Sequence, residues 1–139
     1  MNLIIWQLLK PYYNLGLGKF IRGRIKGMGY AIIGAWKLLS TEASIKAQFF
    51  IAIVVTVAGF YFNITATEWI LQTICIGLIM SLEGMNTAVE ALADYIQPNH
   101  DTKIGHLKDM AAGAVFITAI VSVIVGFIIY IPYIKLWWS

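Results

Sequence analysis

The chain has 139 residues, of which 60% are hydrophobic and only 12% are charged. Soluble domains carry about a quarter charged residues, so this composition excludes a disordered chain and argues against a water-soluble globule. The one cysteine, Cys75, excludes an intrachain disulfide and a thiolate metal site. The sequence therefore predicts one all-α domain, residues 1–139, embedded in a lipid bilayer.

The N-terminal third of the chain is basic. Residues 1–46 carry a net charge of +6 and the remainder carries −3, a pattern typical of a cytoplasmic segment that faces anionic headgroups. Apolar residues recur at helical spacing from Ile25 to Leu39, which predicts an N-terminal amphipathic helix on the membrane surface. Five glycines between Gly16 and Gly29 predict breaks in it. Nucleic acid, the alternative partner for a basic arm, is not expected because membrane spans follow directly.

Three stretches that are largely free of charge predict transmembrane helices over residues 47–67, 69–93 and 110–134, since a helix of about 20 residues crosses the hydrocarbon. The first connection carries no base, whereas the second carries Lys103 and Lys108. This asymmetry predicts that the N-terminus and the second loop are cytoplasmic and that the C-terminus lies outside. Aromatic residues are expected at the outer boundary: Trp69, Tyr130, Tyr133, Trp137 and Trp138.

The second predicted span carries a polar stripe at positions i, i+3, i+7 and i+11: Glu83, Asn86, Glu90 and Asp94. At about 100° per residue, these side chains project from one narrow helix face. Ionisable groups in hydrocarbon cost several kcal/mol unless they are paired, hydrated or bound. The polar stripe is therefore either a ligand site or a set of inter-helix contacts, with the acids paired to Lys108 or Lys46.

The ligand interpretation favours a divalent cation and a nucleotide. Mg²⁺ prefers carboxylate oxygens and keeps water and phosphates as its other ligands, so Glu90 and Asp94 are candidates to hold a metal that enters with a nucleotide. Glu83 lies about two turns deeper, at the depth of a lipid hydroxyl, and could act as a general base. Lys108 is a candidate phosphate ligand. The small residues that follow Asp109 would let the helices approach closely.

Two classes of function fit these spans. The first is a membrane lipid kinase, which would build its nucleotide site from helix ends because no Walker A loop occurs. The second is a small cation channel or carrier subunit lined by the polar stripe. The acids cluster toward one end of the second span, which favours the kinase. Glu42, the only acid in the basic segment, is either a helix-cap neighbour or a further metal ligand.

The run from Glu83 to Glu90, followed by Asp94 and by Lys108-Asp109, resembles the signature of the small prokaryotic diacylglycerol kinase/undecaprenol kinase family. The resemblance implies a homotrimer of three-span protomers in the bacterial inner membrane. It also implies MgATP-dependent phosphoryl transfer to a lipid hydroxyl at the cytoplasmic interface, chemistry that depends mainly on positioning and charge neutralisation.

The resemblance assigns residue roles as well. It implies that Glu83 is the base toward the lipid alcohol and that Glu42 and Glu90 hold the metal. The phosphate-contacting arginine is either Arg22 or Arg24. The remaining matched residues are implied to position the nucleotide: Tyr30, Asn86, Asp94, Lys108 and Asp109.

Two positions depart from the family pattern. Ser44 stands where an asparagine is common, and Gln48 stands where Glu or His is usual. Several stretches, among them residues 67–69 and 80–83, look more like the undecaprenol kinase branch. Undecaprenol is therefore the expected substrate and diacylglycerol the alternative, although both present one hydroxyl above an apolar tail.

Overall fold

A computed structural model describes residues 16–138 of the chain; the predicted surface segment before residue 16 lies outside this range. Within it the chain forms four helices and no strand, so the all-α prediction is confirmed. The helices are α1 (Leu17–Thr41), α2 (Ala43–Phe62), α3 (Ala66–Ile96) and α4 (Thr102–Trp137). The last three are long and apolar enough to cross a membrane, as predicted.

Helices α3 and α4 extend beyond the predicted spans. The predicted span 110–134 lies inside a 36-residue helix, Thr102–Trp137, whose length is about 54 Å. Hydrocarbon is only about 30 Å thick, so both ends of α4 continue past its apolar part. Absence of charge identifies only the part of a helix that suits lipid, and it leaves out the polar turns that carry Asp94, Lys108 and Asp109.

Helix α1 belongs almost entirely to one unit, which ends at Ser40, and the other helices belong to a second unit that begins at Thr41. The predicted breaks at its glycines are wrong, because α1 runs without interruption from Leu17 to Thr41. Each glycine weakens a helix by about 1 kcal/mol without blocking its geometry. Apolar side chains of α1 are exposed, Trp36 by 72%, as expected for a helix that meets lipid.

Helices α2 and α3 form the antiparallel hairpin that the short first connection predicts. Asn63 ends α2 in the left-handed conformation, with φ 52° and ψ 50°, and its N–H donates to the carbonyls of Gly59 and Phe60. Thr65 begins α3 with a capping box, in which its hydroxyl accepts from the N–H of Glu68 and the Glu68 carboxylate accepts from the Thr65 N–H. These contacts satisfy the backbone groups at the turn.

Helix α4 returns antiparallel to α3. Asp101 caps it, since its carboxylate accepts from the N–H groups of Lys103 and Ile104 at 2.8 and 3.1 Å. Few side chains in the described residues are buried: Ile45, Ile64, Gln72, Ala93 and Ile129. Most large apolar side chains are exposed, which suits contact with lipid or with partner helices rather than with water. The chain is a membrane protein.

Candidate active site

The polar stripe lies on one uninterrupted helix. Helix α3 runs without a break from Ala66 to Ile96, so the predicted spacing holds along its length. Glu83, Asn86 and Glu90 are half-buried, whereas Asp94 is exposed. Polarity and exposure therefore both increase toward the C-terminal end of α3.

The base of α4 joins the polar stripe through an ion pair. The ammonium of Lys108 donates to Oδ1 of Asp94, with side-chain exposures of 31% and 64%. The approach of Lys108 to the stripe is as expected. The pairing also agrees in part with the inter-helix alternative, although the structure describes no such pair for Lys46. An exposed ion pair stabilises a fold by at most about 1 kcal/mol. The Lys108 ammonium therefore lies near the polar stripe and can exchange Asp94 for another anionic partner at little cost.

Asn86 and Glu90 form a contact one turn apart. Nδ2 of Asn86 donates to Oε1 of Glu90 at 2.8 Å. The other amide atom, Oδ1 of Asn86, is buried and has no hydrogen-bond partner in the described residues. Asn86 therefore orients the carboxylate of its own helix instead of bridging two helices, and an acceptor oxygen stays available beside that carboxylate.

Glu83 meets a residue of α2. Nε2 of Gln48 donates to Oε2 of Glu83 at 3.4 Å, and Oε1 of Gln48 is buried with no partner in the part of the chain that the structure describes. From the sequence, Gln48 is a departure from a family pattern, and no contact with Glu83 is predicted. Its contact with Glu83 depends on how α2 packs on α3, which spacing within one helix does not reveal.

Three candidates lie apart from these contacts. Asp109 is exposed and forms no hydrogen bond or ion pair within residues 16–138. Glu42 precedes α2 as its N-cap residue without a side-chain cap bond, and its Oε1 accepts from the Thr41 hydroxyl at 2.9 Å. Tyr30 lies in the first unit on α1 and is 65% exposed. On the same helix, the Arg24 guanidinium lies 5.1 Å from the centroid of the Phe20 ring.

A second polar cluster lies at the opposite end of the helices. The Tyr133 hydroxyl donates to Oε2 of Glu68 at 2.8 Å, and the Tyr130 hydroxyl lies 2.6 Å from Oε1 of Gln72 and 2.7 Å from the carbonyl oxygen of Val55. Both tyrosines were expected at this boundary. Their partners were not predicted from the sequence, although a glutamine within an otherwise uncharged span indicates a polar contact between helices.

Helix geometry gives the depth of the polar stripe. If one hydrocarbon boundary lies at Glu68, about 30 Å along α3 ends near Ala88. Glu90 then lies at the second boundary, Glu83 about 8 Å inside it and Asp94 about 9 Å outside it. The arrangement suits a reaction between a water-soluble anion and a group anchored in the bilayer.

Helix α4 agrees with this depth. If Tyr133 marks one hydrocarbon boundary, about 30 Å back along α4 ends near Gly113. Lys108 then lies about 8 Å outside the second boundary. Lys108 and Asp94 therefore reach the same level from two helices, which is consistent with their ion pair.

Comparison with known proteins identifies a family whose model matches this chain. The family model described as prokaryotic diacylglycerol kinase matches residues 29–130. The matched range includes the whole polar stripe, Gln48, Lys108 and Asp109.

Curated relatives agree. The undecaprenol kinase of Bacillus subtilis strain 168 is 35% identical over 107 residues, covering 77% of this chain and 87% of the relative. The diacylglycerol kinase of Escherichia coli K12 is 30% identical over 100 residues, covering 72% and 82%, and that of Haemophilus influenzae is 29% identical over 107 residues, covering 76% and 91%. The chain belongs to the prokaryotic diacylglycerol kinase family.

Proposed function

We propose that this protein is a lipid kinase that transfers the terminal phosphoryl group of MgATP to the hydroxyl of a membrane lipid alcohol. The observation that supports it most directly is the pairing of Lys108 with Asp94. Asp94 lies about 17 Å beyond Glu83 along α3, so the ion pair suits the water-exposed part of the nucleotide and Glu83 suits the lipid hydroxyl. Phosphoryl transfer needs positive charge on the phosphates and a base on the acceptor, and the two ends of the polar stripe offer these groups.

Undecaprenol is the acceptor we propose, with diacylglycerol as the alternative. The support is the higher identity to an undecaprenol kinase, 35%, than to the diacylglycerol kinases, 29–33%. The margin is small, and helix packing alone does not distinguish one apolar tail from two. A direct comparison of the two lipids is therefore part of the test.

Glu83 is the proposed general base. Its Oε1 has no hydrogen-bond partner in the described residues, while Oε2 accepts from Gln48. A carboxylate about 8 Å inside the boundary can reach a hydroxyl that a lipid presents below the phosphate level. Glu83 accepts the hydroxyl proton as the alcohol oxygen attacks the terminal phosphorus and ADP leaves.

Glu42 and Glu90 are the proposed metal ligands. Glu90 is oriented by Asn86, whose buried Oδ1 is a further hard oxygen that has no partner in the described part of the chain. Within residues 16–138, no three His, Cys, Asp or Glu side chains group closely enough to hold a metal ion alone. Mg²⁺ commonly takes one or two carboxylates and completes its shell with phosphates and water, so the donor set fits. When bound, Mg²⁺ neutralises phosphate charge.

The remaining residues are proposed to hold the nucleotide. Lys108 carries three N–H donors, of which the Asp94 contact uses one. Asp109 lies beside it in sequence and is exposed. For Tyr30, and for the choice between Arg22 and Arg24, the support is the family resemblance.

We also propose a homotrimer in the bacterial inner membrane, with a cytoplasmic N-terminus and an external C-terminus. The exposed apolar side chains of α2 to α4 and the half-buried polar stripe support association, because ionisable groups in a membrane need cover. The basic N-terminal segment supports the orientation. Together the chain would act as one lipid kinase domain over residues 1–139.

A phosphate-transfer assay tests the proposal. Purified protein in mixed micelles receives radiolabelled MgATP with undecaprenol or diacylglycerol, and Glu83→Gln serves as the control. We expect label in the lipid fraction with the parent only, and faster transfer to undecaprenol. Faster transfer to diacylglycerol would reverse the substrate assignment. Label in neither lipid would contradict kinase function and favour a cation channel.

A further inference from the structure

Gln48 is the only side chain of α2 that is hydrogen-bonded to a side chain of α3 within residues 16–138. The contact joins Nε2 of Gln48 to Oε2 of Glu83 at 3.4 Å, and both residues are half-buried. Thr56, further along α2, donates to the carbonyl of Ala52 in its own helix at 2.6 Å. The polar link between the two helices therefore meets the polar stripe at the proposed base.

Stability alone does not explain the hydrogen bond between Gln48 and Glu83. The hydrogen bond is long, and the second amide atom, Oε1 of Gln48, is buried with no partner among residues 16–138. Buried polar atoms in native proteins are nearly always satisfied, so an exception calls for a reason other than packing. An apolar side chain of similar size would avoid the unpaired oxygen.

The chemistry of an amide supplies that reason. A neutral N–H donor fixes the orientation of a carboxylate without neutralising it as a lysine or arginine would. Among the described residues, Glu83 is hydrogen-bonded through Oε2 alone, which leaves Oε1 to accept the proton of an alcohol. A general base must be held in a fixed orientation and must stay able to accept a proton. A hydrogen bond from the neutral amide of Gln48 meets both requirements.

We propose that Gln48 is a positioning residue for Glu83, an inference that rests on the proposed lipid kinase function. Gln48 holds one carboxylate oxygen by a neutral hydrogen bond so that the other faces the lipid hydroxyl.

Few other groups can titrate near this contact. The other titratable side chains of α2 are Lys46 and Tyr61, and its N-cap residue Glu42 lies six residues before Gln48. On α3, Cys75 and Glu90 each lie about two turns from Glu83. Residues 110–129 of α4 contain no titratable side chain. A charge introduced at residue 48 would therefore act mainly on Glu83.

Two substitutions of opposite charge test the proposal through the pH dependence of kcat. In Gln48→Glu, a second carboxylate beside Glu83 makes it hold its proton more tightly, and the acidic limb of the profile should move to higher pH by about one unit. In Gln48→Lys, an ammonium favours the ionised form, and the limb should move to lower pH by about one unit. Opposite shifts would show that residue 48 lies against the carboxylate whose ionisation sets this limb, and the neutral substitution below tests whether the native amide orients it.

A neutral substitution separates orientation from charge. Gln48→Met removes the donor at similar volume and should lower kcat about 10- to 100-fold with little change in the KM for ATP. Gln72→Met is the matched control, because it removes a glutamine from the other end of the helices and should leave kcat unchanged.

The outcomes are distinguishable. A parent protein that labels neither undecaprenol nor diacylglycerol overturns the proposed function and this inference with it. An active parent overturns the inference alone if the acidic limb stays in place or moves the same way in both charged variants, or if Gln48→Met keeps the full kcat. If Gln48→Met does not fold, Gln48→Leu, which also lacks the donor, provides the same measurement.

Discussion

Tyr130 and Gln72 are in contact, with the hydroxyl 2.6 Å from the amide oxygen, in register with the ion pair at the other end of the same helices. Gln72 and Asp94 are 22 residues apart on α3, and Lys108 and Tyr130 are 22 residues apart on α4. Equal spacing means that the antiparallel helices keep one register over about 33 Å. The polar contacts at the outer end and the ion pair at the inner end are therefore two contacts of the same helix packing.

Tyr130→Phe is expected to lower the free energy of unfolding by about 1 kcal/mol, a typical value for a hydrogen bond between membrane helices. The tyrosine hydroxyl lies between the Val55 carbonyl and the Gln72 amide, so both groups lose a partner. Unfolding in mixed micelles would measure the change. Because Tyr130 lies far from the polar stripe, the KM for ATP should stay constant, and a large rise in that KM would contradict this separation.

Gly59→Ala should destabilise the α2–α3 hairpin by about 1–3 kcal/mol, as overpacking does. A Cβ at Gly59 would lie 2.8 Å from Cη2 of Trp69 and 3.1 Å from Cδ1 of Ile64. Gly77→Ala is the matched control in α3, because a Cβ there meets nothing within 4 Å. Helix propensity should make that variant neutral or more stable. Equal unfolding free energies for the two variants would show that the contact at Gly59 relaxes freely.

Periodicity was sufficient to predict the helices and the polar stripe. A repeat of i, i+3, i+7 and i+11 fixes a helix face wherever the helix forms, and α3 is unbroken through all four positions. The contact of Gln48 with Glu83 was not predictable in this way, since it depends on the register between two helices. The expected breaks in α1 were wrong because glycine lowers helix stability without preventing helical geometry.

Lys108→Met separates the structural and catalytic contributions of the ion pair. The pair is partly exposed, at 31% and 64%, so the free energy of unfolding should fall by less than about 1 kcal/mol. The KM for ATP should rise about 10- to 100-fold if the ammonium binds phosphate. Asp94→Asn is the companion variant and breaks the same pair while keeping the ammonium. A large loss of stability with an unchanged KM would identify the pair as purely structural.

Glu90→Gln should raise the KM for MgATP about tenfold or more and increase the Mg²⁺ concentration needed for half-maximal rate. The neutral amide is a weaker ligand for a hard cation than the carboxylate that Asn86 orients at 2.8 Å. Glu68→Gln makes the same change in the same helix at the opposite end, where Thr65 and Tyr133 are the partners. An equal effect of the two substitutions on the Mg²⁺ requirement would exclude Glu90 as a ligand.

Glu83→Gln should lower kcat by about 10²- to 10⁴-fold, the usual contribution of a general base, and leave the KM for ATP almost unchanged. The substitution preserves side-chain shape and removes only the ability to accept a proton, so it acts on the transition state and not on nucleotide binding. Single-turnover transfer to lipid measures the chemical step, and equilibrium nucleotide binding to the same sample provides the control. Glu83 lies about 8 Å inside the proposed boundary and Glu90 lies at it. Glu83→Gln should therefore slow the chemical step, whereas Glu90→Gln should weaken the binding of MgATP. Full activity in Glu83→Gln would remove the base from this mechanism and leave Glu83 with only its contact to Gln48.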